Sequence, residues 1–321
     1  MKKPFQRRLA SILIIIGWVI FAPTAQAVSP PPDGGYPFEN TAEGEDALFS
    51  LPAGTRFNTA IGYHALYSNT TGELNTAVGH SALMSNTNAF QNTAVGVSAL
   101  ASNTTGFGNV AIGNFSLLQN TTGGYNTAIH GMESNTTGSY NTVIGFTALD
   151  SNTTGNYNTA SGYLALYNNT TGSYNTAAGN NSLLSNTNGI SNTANGAFAL
   201  TSNTTGFNNT ANGVNALASN TTGSENAANG NSALSLNTTG LQNTADGSQA
   251  LLRNTIGNNN IALGFQAGQN LTTGSSNIHI GNAGVAGDSR KIRVGTVGPT
   301  KEHLHRRHLW SHRFTWSRCD Y

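Results

Sequence analysis

The sequence predicts an all-β chain wound as a parallel β-solenoid, and three observations carry that prediction. One seventeen-residue phrase recurs along most of the 321 residues, a glycine stands at a fixed place in nearly every copy, and only 8% of residues are charged. Disordered polar chains usually carry high net charge, whereas this one carries +1, so strict period with few charges points to a repeat fold. An α-helical repeat is excluded, because no apolar stripe recurs at i, i+3, i+4, i+7 and glycine is frequent.

From the N-terminus, Lys2, Lys3, Arg7 and Arg8 precede the apolar run Ile12 to Phe21 and the small-residue site Ala25-Gln26-Ala27. This reads as a secretory signal peptide over 1–27, cleaved near Ala27, with a mature chain that is secreted or displayed at the cell surface. The apolar run is shorter than the roughly 20 residues a membrane span needs, so the mature chain is expected to have none. Residues 28–39 form a Pro/Gly-rich linker, and 40–57 an N-terminal capping repeat with one extra residue.

The repeat domain runs over 58–285. Its phrases open at Asn58, Asn75, Asn92, Asn109, Asn126, Asn141, Asn158, Asn175, Asn192, Asn209, Asn226, Asn243, Asn260 and Asn277. Twelve of the thirteen intervals are seventeen residues, and the step from Asn126 to Asn141 is fifteen. The fifth position is Gly62, Gly79, Gly96, Gly113, Gly145, Gly162, Gly179, Gly196, Gly213, Gly230, Gly247, Gly264 and Gly281, with His130 as the exception. A glycine at a fixed place predicts a corner that needs positive φ or close backbone approach. "TAI" or "TAV" before the corner reads as a strand, "AL" after it as a second strand, and "SNTTG" as a second turn.

Two short strands and two turns make one coil, and such a coil is not stable alone. Each buried Leu or Ile contributes about 1.5–3 kcal/mol, against about 1–2 kcal/mol for fixing each backbone residue. Stacking must supply the rest, which explains the repetition. Fourteen coils spaced ~4.8 Å apart give a rod roughly 65 Å long. The opener asparagines and those of the second turn (Asn69, Asn103, Asn152, Asn203, Asn220) are expected to stack as amide ladders. The repeated turn also generates the N-glycosylation pattern automatically, so the pattern is read as structural.

The third position stays Ala from Ala60 to Ala262 almost throughout, which fits a narrow interior. The fourth reads Ile61, Val78, Val95, Ile112, Ile129, Ile144, then turns polar from Ser161 to Asp246 before Leu263 and Ile280. Neighbours in a strand face opposite ways, so the variable rank faces outward and its aliphatic part is read as a subunit contact. Period-two alternation alone leaves the alternative open, with this rank inside and the middle coils packed differently.

The phrases "NTAIGYHAL" and "NTAVGHSAL" resemble the YadA-like head repeats of trimeric autotransporter adhesins over about residues 40–285. The resemblance implies a left-handed β-roll, a trimer, bacterial surface display and adhesion to host or matrix molecules. Here the phrase is longer than that family's usual repeat, and neither a heptad stalk nor membrane-barrel strands follow it.

Catalytic chemistry is not expected. Acidic residues within the repeats stand singly and out of register, and His64, His80, His130 and His279 occupy different positions of the phrase. No catalytic, cofactor or metal residues are assigned, and no nucleic-acid partner. Cys319 is the only cysteine, so no intrachain disulfide forms. After the strand and turn at 286–299, the basic tail 300–321 is read as disordered and as a frameshift product. In the shifted phase each Trp codon must give Gly and each His-Leu pair Ile or Thr. That continuation resembles segments preceding a C-terminal self-processing chaperone domain. The functional expectation is therefore an adhesin head without catalysis. The alternatives are a fibre spacer that lost such a domain, or an ice-binding solenoid using its Thr ranks.

Overall fold

The computed structural model describes residues 38–52 and 54–295. The signal peptide, the cleavage site, the basic tail with its histidines, and Cys319 lie outside the described residues.

Every copy of the phrase contributes one short strand to a single parallel sheet. The strands are β1 (Thr41–Glu43), β2 (Thr59–Ile61), β3 (Thr76–Val78), β4 (Thr93–Val95), β5 (Val110–Ile112), β6 (Thr127–Gly131), β7 (Thr142–Ala148) and β8 (Thr159–Ser161). They continue as β9 (Thr176–Ala178), β10 (Thr193–Asn195), β11 (Thr210–Asn212), β12 (Ala227–Asn229), β13 (Thr244–Asp246), β14 (Ile261–Leu263), β15 (Ile278–Ile280) and β16 (Ile292–Val294). All sixteen pair with their sequence neighbours, in sequence order. Thr pairs with Thr and Ala with Ala at the same place of the phrase, as in Thr59↔Thr76 and Ala60↔Ala77. The result is a β-solenoid, and fifteen steps of ~4.8 Å make the rod about 70 Å long. Below, coil 1 opens at Asn58 and coil 14 at Asn277; the N-terminal coil opens at Asn40, and Lys291 opens the last.

The expected second strand is absent from every coil except 5 and 6, where β6 and β7 run on to Gly131 and Ala148. Residues of the "AL" segment, such as 63–68, lie in turn conformation, with His64 and Leu66 at φ 54° and 51°. The same two places are left-handed in most coils, as is the residue before each opener, for example Leu74 at φ 59°. Left-handed backbone is unfavourable for an L-residue, and a tight coil accepts that cost so that its carbonyls and amides aim along the rod. Leu66 N donates to Ala82 O of the next coil at 3.0 Å, while Ser81 N donates back to Tyr63 O at 2.8 Å. Inter-coil bonding therefore continues far beyond the three strand residues.

The interior consists of three apolar columns and two amide columns. Ala60, Ala77, Ala94 and their successors form one apolar column, and Leu66, Leu83, Leu100 and theirs another, all fully buried. The third apolar column is Ala65, Ala82, Ala99 and their successors. Asn58 Oδ1 accepts from both the main-chain N and Nδ2 of Asn75, at 3.0 and 3.2 Å. In the second turn Asn86 Nδ2 donates to Asn69 Oδ1 at 2.8 Å, and this too repeats coil after coil. The two ladders meet at one carbonyl, since Gly72 O accepts from both Asn58 Nδ2 and Asn69 Nδ2 at 2.9 Å. Burying so many amides is tolerable only because nearly all find partners.

Glycine is needed at two places for two different reasons. At the fifth position φ lies between 110° and 143° from Gly62 to Gly264, a region closed to side chains; Gly281 differs, at 56°. At Gly72 no positive φ is involved. A Cβ there would come within 2.3 Å of Ala89 O and 2.4 Å of Asn69 Oδ1, so close packing of the turn under both ladders excludes most side chains. Ala89 itself fills that place in coil 2, so this turn can take one methyl.

The fifteen-residue coil 5 keeps the sheet continuous. Its pairing shifts register between Ile129 and Gly131, and β6 and β7 lengthen to five and seven residues. Met132 takes the buried leucine's place, donating from its N to Ala148 O at 3.1 Å. The two missing residues come out of the corner, where His130 stands alone at φ 57°.

Candidate interaction faces

The strand residues settle which side faces out. In each strand of coils 1–14 the third position of the phrase is buried and the fourth is exposed or half-buried. Ile112 is 37% and Ile144 49% exposed; Ile61 and Val95 are exposed, and Val78 and Ile129 half-buried. An aliphatic rank thus runs along the outside of coils 1–6, beside an outward rank of Thr at the second position.

A second outward rank was not anticipated from the sequence. Phe90, Phe107, Tyr125, Tyr140, Tyr157 and Tyr174 stand at the last two positions of coils 2–7. Each ring contacts the next at centroid distances of 4.9 to 5.2 Å. All are stacked except Phe107–Tyr125, which is edge-on at 78°, where the ladder moves from the sixteenth position to the seventeenth. Gly108 and Gly124 stand at the two vacated places, and a Cβ on Gly108 would meet the Tyr125 ring at 2.9 Å. Such contacts add stabilisation beyond burial alone. The signal was legible as an aromatic in every copy from Phe90 to Tyr174 at one of two adjacent places.

Beyond coil 7 the exterior changes character. Asn195 Nδ2 donates to Asn212 Oδ1, and Asn212 Nδ2 to Asn229 Oδ1, both at 2.9 Å, so an exposed amide ladder replaces the aliphatic rank. At the residue before the opener, Ser191, Asn208, Glu225, Gln242 and Asn259 replace the tyrosines.

The short coil leaves a notch of about 180 Å³ lined by Asn114, Phe115, His130, Gly131, Glu133, Phe146, Thr147 and Asp150. It is a shallow opening between aromatic walls. Asp150 Oδ1 is occupied, accepting from Glu133 N at 3.2 Å. Among the described residues no group of three or more His, Cys, Asp or Glu is arranged to hold a metal ion. No helix among them is long and apolar enough to cross a membrane.

The second-turn residues are engaged internally. Thr70 Oγ1 donates to Thr87 O at 3.0 Å, and most of its equivalents do likewise, which leaves this Thr rank poorly placed to order water. Asn69, Asn103 and Asn152 are fully buried and their amides bonded, so a glycan could be attached there only by breaking the ladder.

The histidines that share no position of the phrase have separate surroundings. His279 is fully buried in the alanine column. Room for it comes from Gly268 and Gly284, at places held elsewhere by Leu and Ala. A Cβ on either glycine would come within 2.8 Å of the ring. Its Nε2 lies 3.4 Å from Asp288 Oδ2, and Asp288 in turn accepts from Arg293 Nε and Nη2 at 2.5 and 2.7 Å. Burial pushes the His279 pKa down, and the Arg293 hydrogen bonds hold Asp288 at about 2. Nearby, Leu271 replaces the next rung of the second-turn ladder, leaving Asn254 Oδ1 without a donor. The repeat ends here in an ion-paired plug. No family model matches this chain, and no curated protein does either.

Proposed function

We propose that this β-solenoid is a secreted or surface-displayed structural repeat protein acting as an adhesin head, with no catalytic role. The observation that carries the reading is the outward apolar face of coils 1–7, an aliphatic rank with an aromatic ladder on the same stack. Exposed apolar area of this extent marks an interaction surface. Copies associate laterally through this face, as a trimer, and the polar exterior of the later coils stays wet. The resemblance of the phrases to YadA-like head repeats supports the trimer and the adhesive role. It also supports bacterial surface display, and the apolar run followed by Ala25-Gln26-Ala27 supports export.

The test is adsorption of the purified mature chain to surfaces coated with extracellular-matrix protein or glycan. The wild-type chain is expected to bind, and an I112N/I144N variant to bind less as its oligomer dissociates. Equal failure of both on every such surface would remove the adhesive role.

A further inference from the structure

Charged side chains are scarce along the body of the rod and gather at its ends. Between Asn58 and Ser276 the acidic and basic residues are Glu73, Glu133, Asp150, Glu225, Asp246 and Arg253. Residues 39–46 alone hold Glu39, Glu43, Glu45 and Asp46, and residues 288–293 hold Arg290, Lys291 and Arg293 beside Asp288. Part of this charge is already matched: Asp46 lies 3.4 Å from His64, and Arg293 is bound to Asp288. Arg56 sits over the Phe38 ring, 5.7 Å from its centroid. The exposed remainder is Glu39, Glu43 and Glu45 at one end, and Arg290 and Lys291 at the other.

Each end also carries a strand with an open edge. Among the described residues β1 pairs only with β2, and β16 only with β15. An open strand edge is a template for another strand. On β16 the outward side chains Ile292 and Val294 are 74% and 69% exposed, a costly arrangement unless something covers them.

The two ends are in register with each other. Glu39 and Arg290 occupy the same place of the phrase, the left-handed residue before an opener, with φ 62° and 55°. Arg290 N donates to Ser275 O at 3.0 Å, and Phe57 N to Phe38 O, the same inter-coil bond at opposite ends of the rod. Pairing β1 of a second copy onto β16 in the register used throughout the sheet sets Thr41 opposite Ile292. Glu39 then falls beside Arg290, with Lys291 one residue along. Like ends brought together would oppose like charges.

We propose that copies of this chain stack head to tail, the acidic N-terminal coil of one seated on the basic last coil of the next. Exposed ion pairs contribute little affinity by themselves. Main-chain pairing and the cover of Ile292 and Val294 hold the seam, and the charges select its polarity. A contact between two different surfaces that does not close on itself yields an open filament. This inference is independent of the lateral contact, which uses other residues.

The experiment uses the purified mature chain, sized by sedimentation velocity and imaged by electron microscopy over a range of concentration. At low salt, rods should appear whose lengths are multiples of one solenoid. In 1 M salt, where the screening length is about 3 Å, these rods should persist, because main-chain pairing and apolar cover hold the seam. R290E/K291E makes both ends acidic and E39K/E43K makes both ends basic. Each variant alone should lose at least nine-tenths of its long rods, while an equimolar mixture should restore them. Circular dichroism identical to wild type shows that both variants fold. I112N/I144N should still stack end to end. Three results would each overturn the proposal: wild-type chains that never exceed the lateral oligomer, rods unchanged in either charge variant alone, or a mixture that fails to recover them.

Discussion

Coils 1–7 and coils 8–12 are built on almost the same interior and present different exteriors. Inside, the Ala and Leu columns and both amide ladders pass from one half to the other without interruption. Outside, Ile112 and Ile144 with the ladder ending at Tyr174 give way to Asn195, Asn212 and Asn229. Apolar residues remain exposed in the second half, among them Ile190, Phe207 and Leu241 at the sixteenth position of coils 8, 9 and 11, but they form no continuous ring ladder. The comparison separates what the phrase requires for folding from what it leaves free. Positions 1, 3, 5, 8, 9, 12 and 15 build the coil, and positions 4, 6, 16 and 17 can be rewritten without disturbing it.

The interior should respond alike in both halves. Leu149→Ala and Leu217→Ala each remove a fully buried side chain and should each cost about 2–5 kcal/mol, read by denaturant titration. A difference larger than that spread would break the equivalence. Breaking an amide ladder should cost about as much. Asn152→Ala deprives Asn135 Oδ1 of its side-chain donor and Asn169 Nδ2 of one of its two acceptors, and Asn203→Ala does the same to Asn186 and Asn220. Each orphaned group costs about 1–3 kcal/mol, and hydrogen exchange should quicken most in the adjoining coils.

The exterior should respond unequally. Ile112 and Ile144 are 37% and 49% exposed in the single chain. Covering each at the proposed lateral contact therefore contributes roughly half of the ~1.5–3 kcal/mol of a full burial. I112N/I144N should raise the dissociation constant of the lateral oligomer by roughly tenfold to a hundredfold. N195S/N212S, made in the wet half, should leave that constant within about twofold. Analytical ultracentrifugation of the two variants decides whether the halves differ as proposed.

The smallest effect expected is at the C-terminal plug. His279 is held below its usual pKa by burial and Asp288 below its own by Arg293, so the unfolded chain binds more protons in both cases. Stability of coil 14 is therefore expected to fall as pH drops below about 6.5, and again between about 4 and 2. Coils 8–12 hold no histidine, so their exchange rates should stay flat across the upper step. His279→Ala should loosen coil 14, and adding Gly268→Leu should restore it, because Gly268 has φ 62° and leucine takes similar backbone elsewhere in that column.

Much of the fold was legible because the phrase repeats. An in-register Ala, Leu and Asn in nearly every copy can hardly be anything but columns, and the outward rank followed from strand alternation at Ala60 and Ile61. The second strand was misread because "AL" has the composition of a short strand, while its backbone is left-handed at Leu66, a conformation that leucine's own preferences oppose. The role of Gly72 was also hidden. Its need for glycine comes from Ala89 O in the next coil and from the Asn69 side chain, neither visible from the turn's own residues. The notch at His130 follows from the two-residue deletion, but most of its lining comes from neighbouring coils. The buried His279 depends on compensating glycines eleven residues before it and five after it.

The central claim is that the apolar exterior of the first half is covered by other copies of the chain. Its most direct test is the mass in solution of the purified mature chain carrying R290E/K291E, whose like-charged ends do not stack, measured by light scattering at low salt. The account predicts a discrete mass of three chains that persists on dilution to micromolar concentration. A single-chain mass at the highest concentration attainable would contradict it and leave the rank from Ile61 to Ile144 exposed without a partner of its own kind.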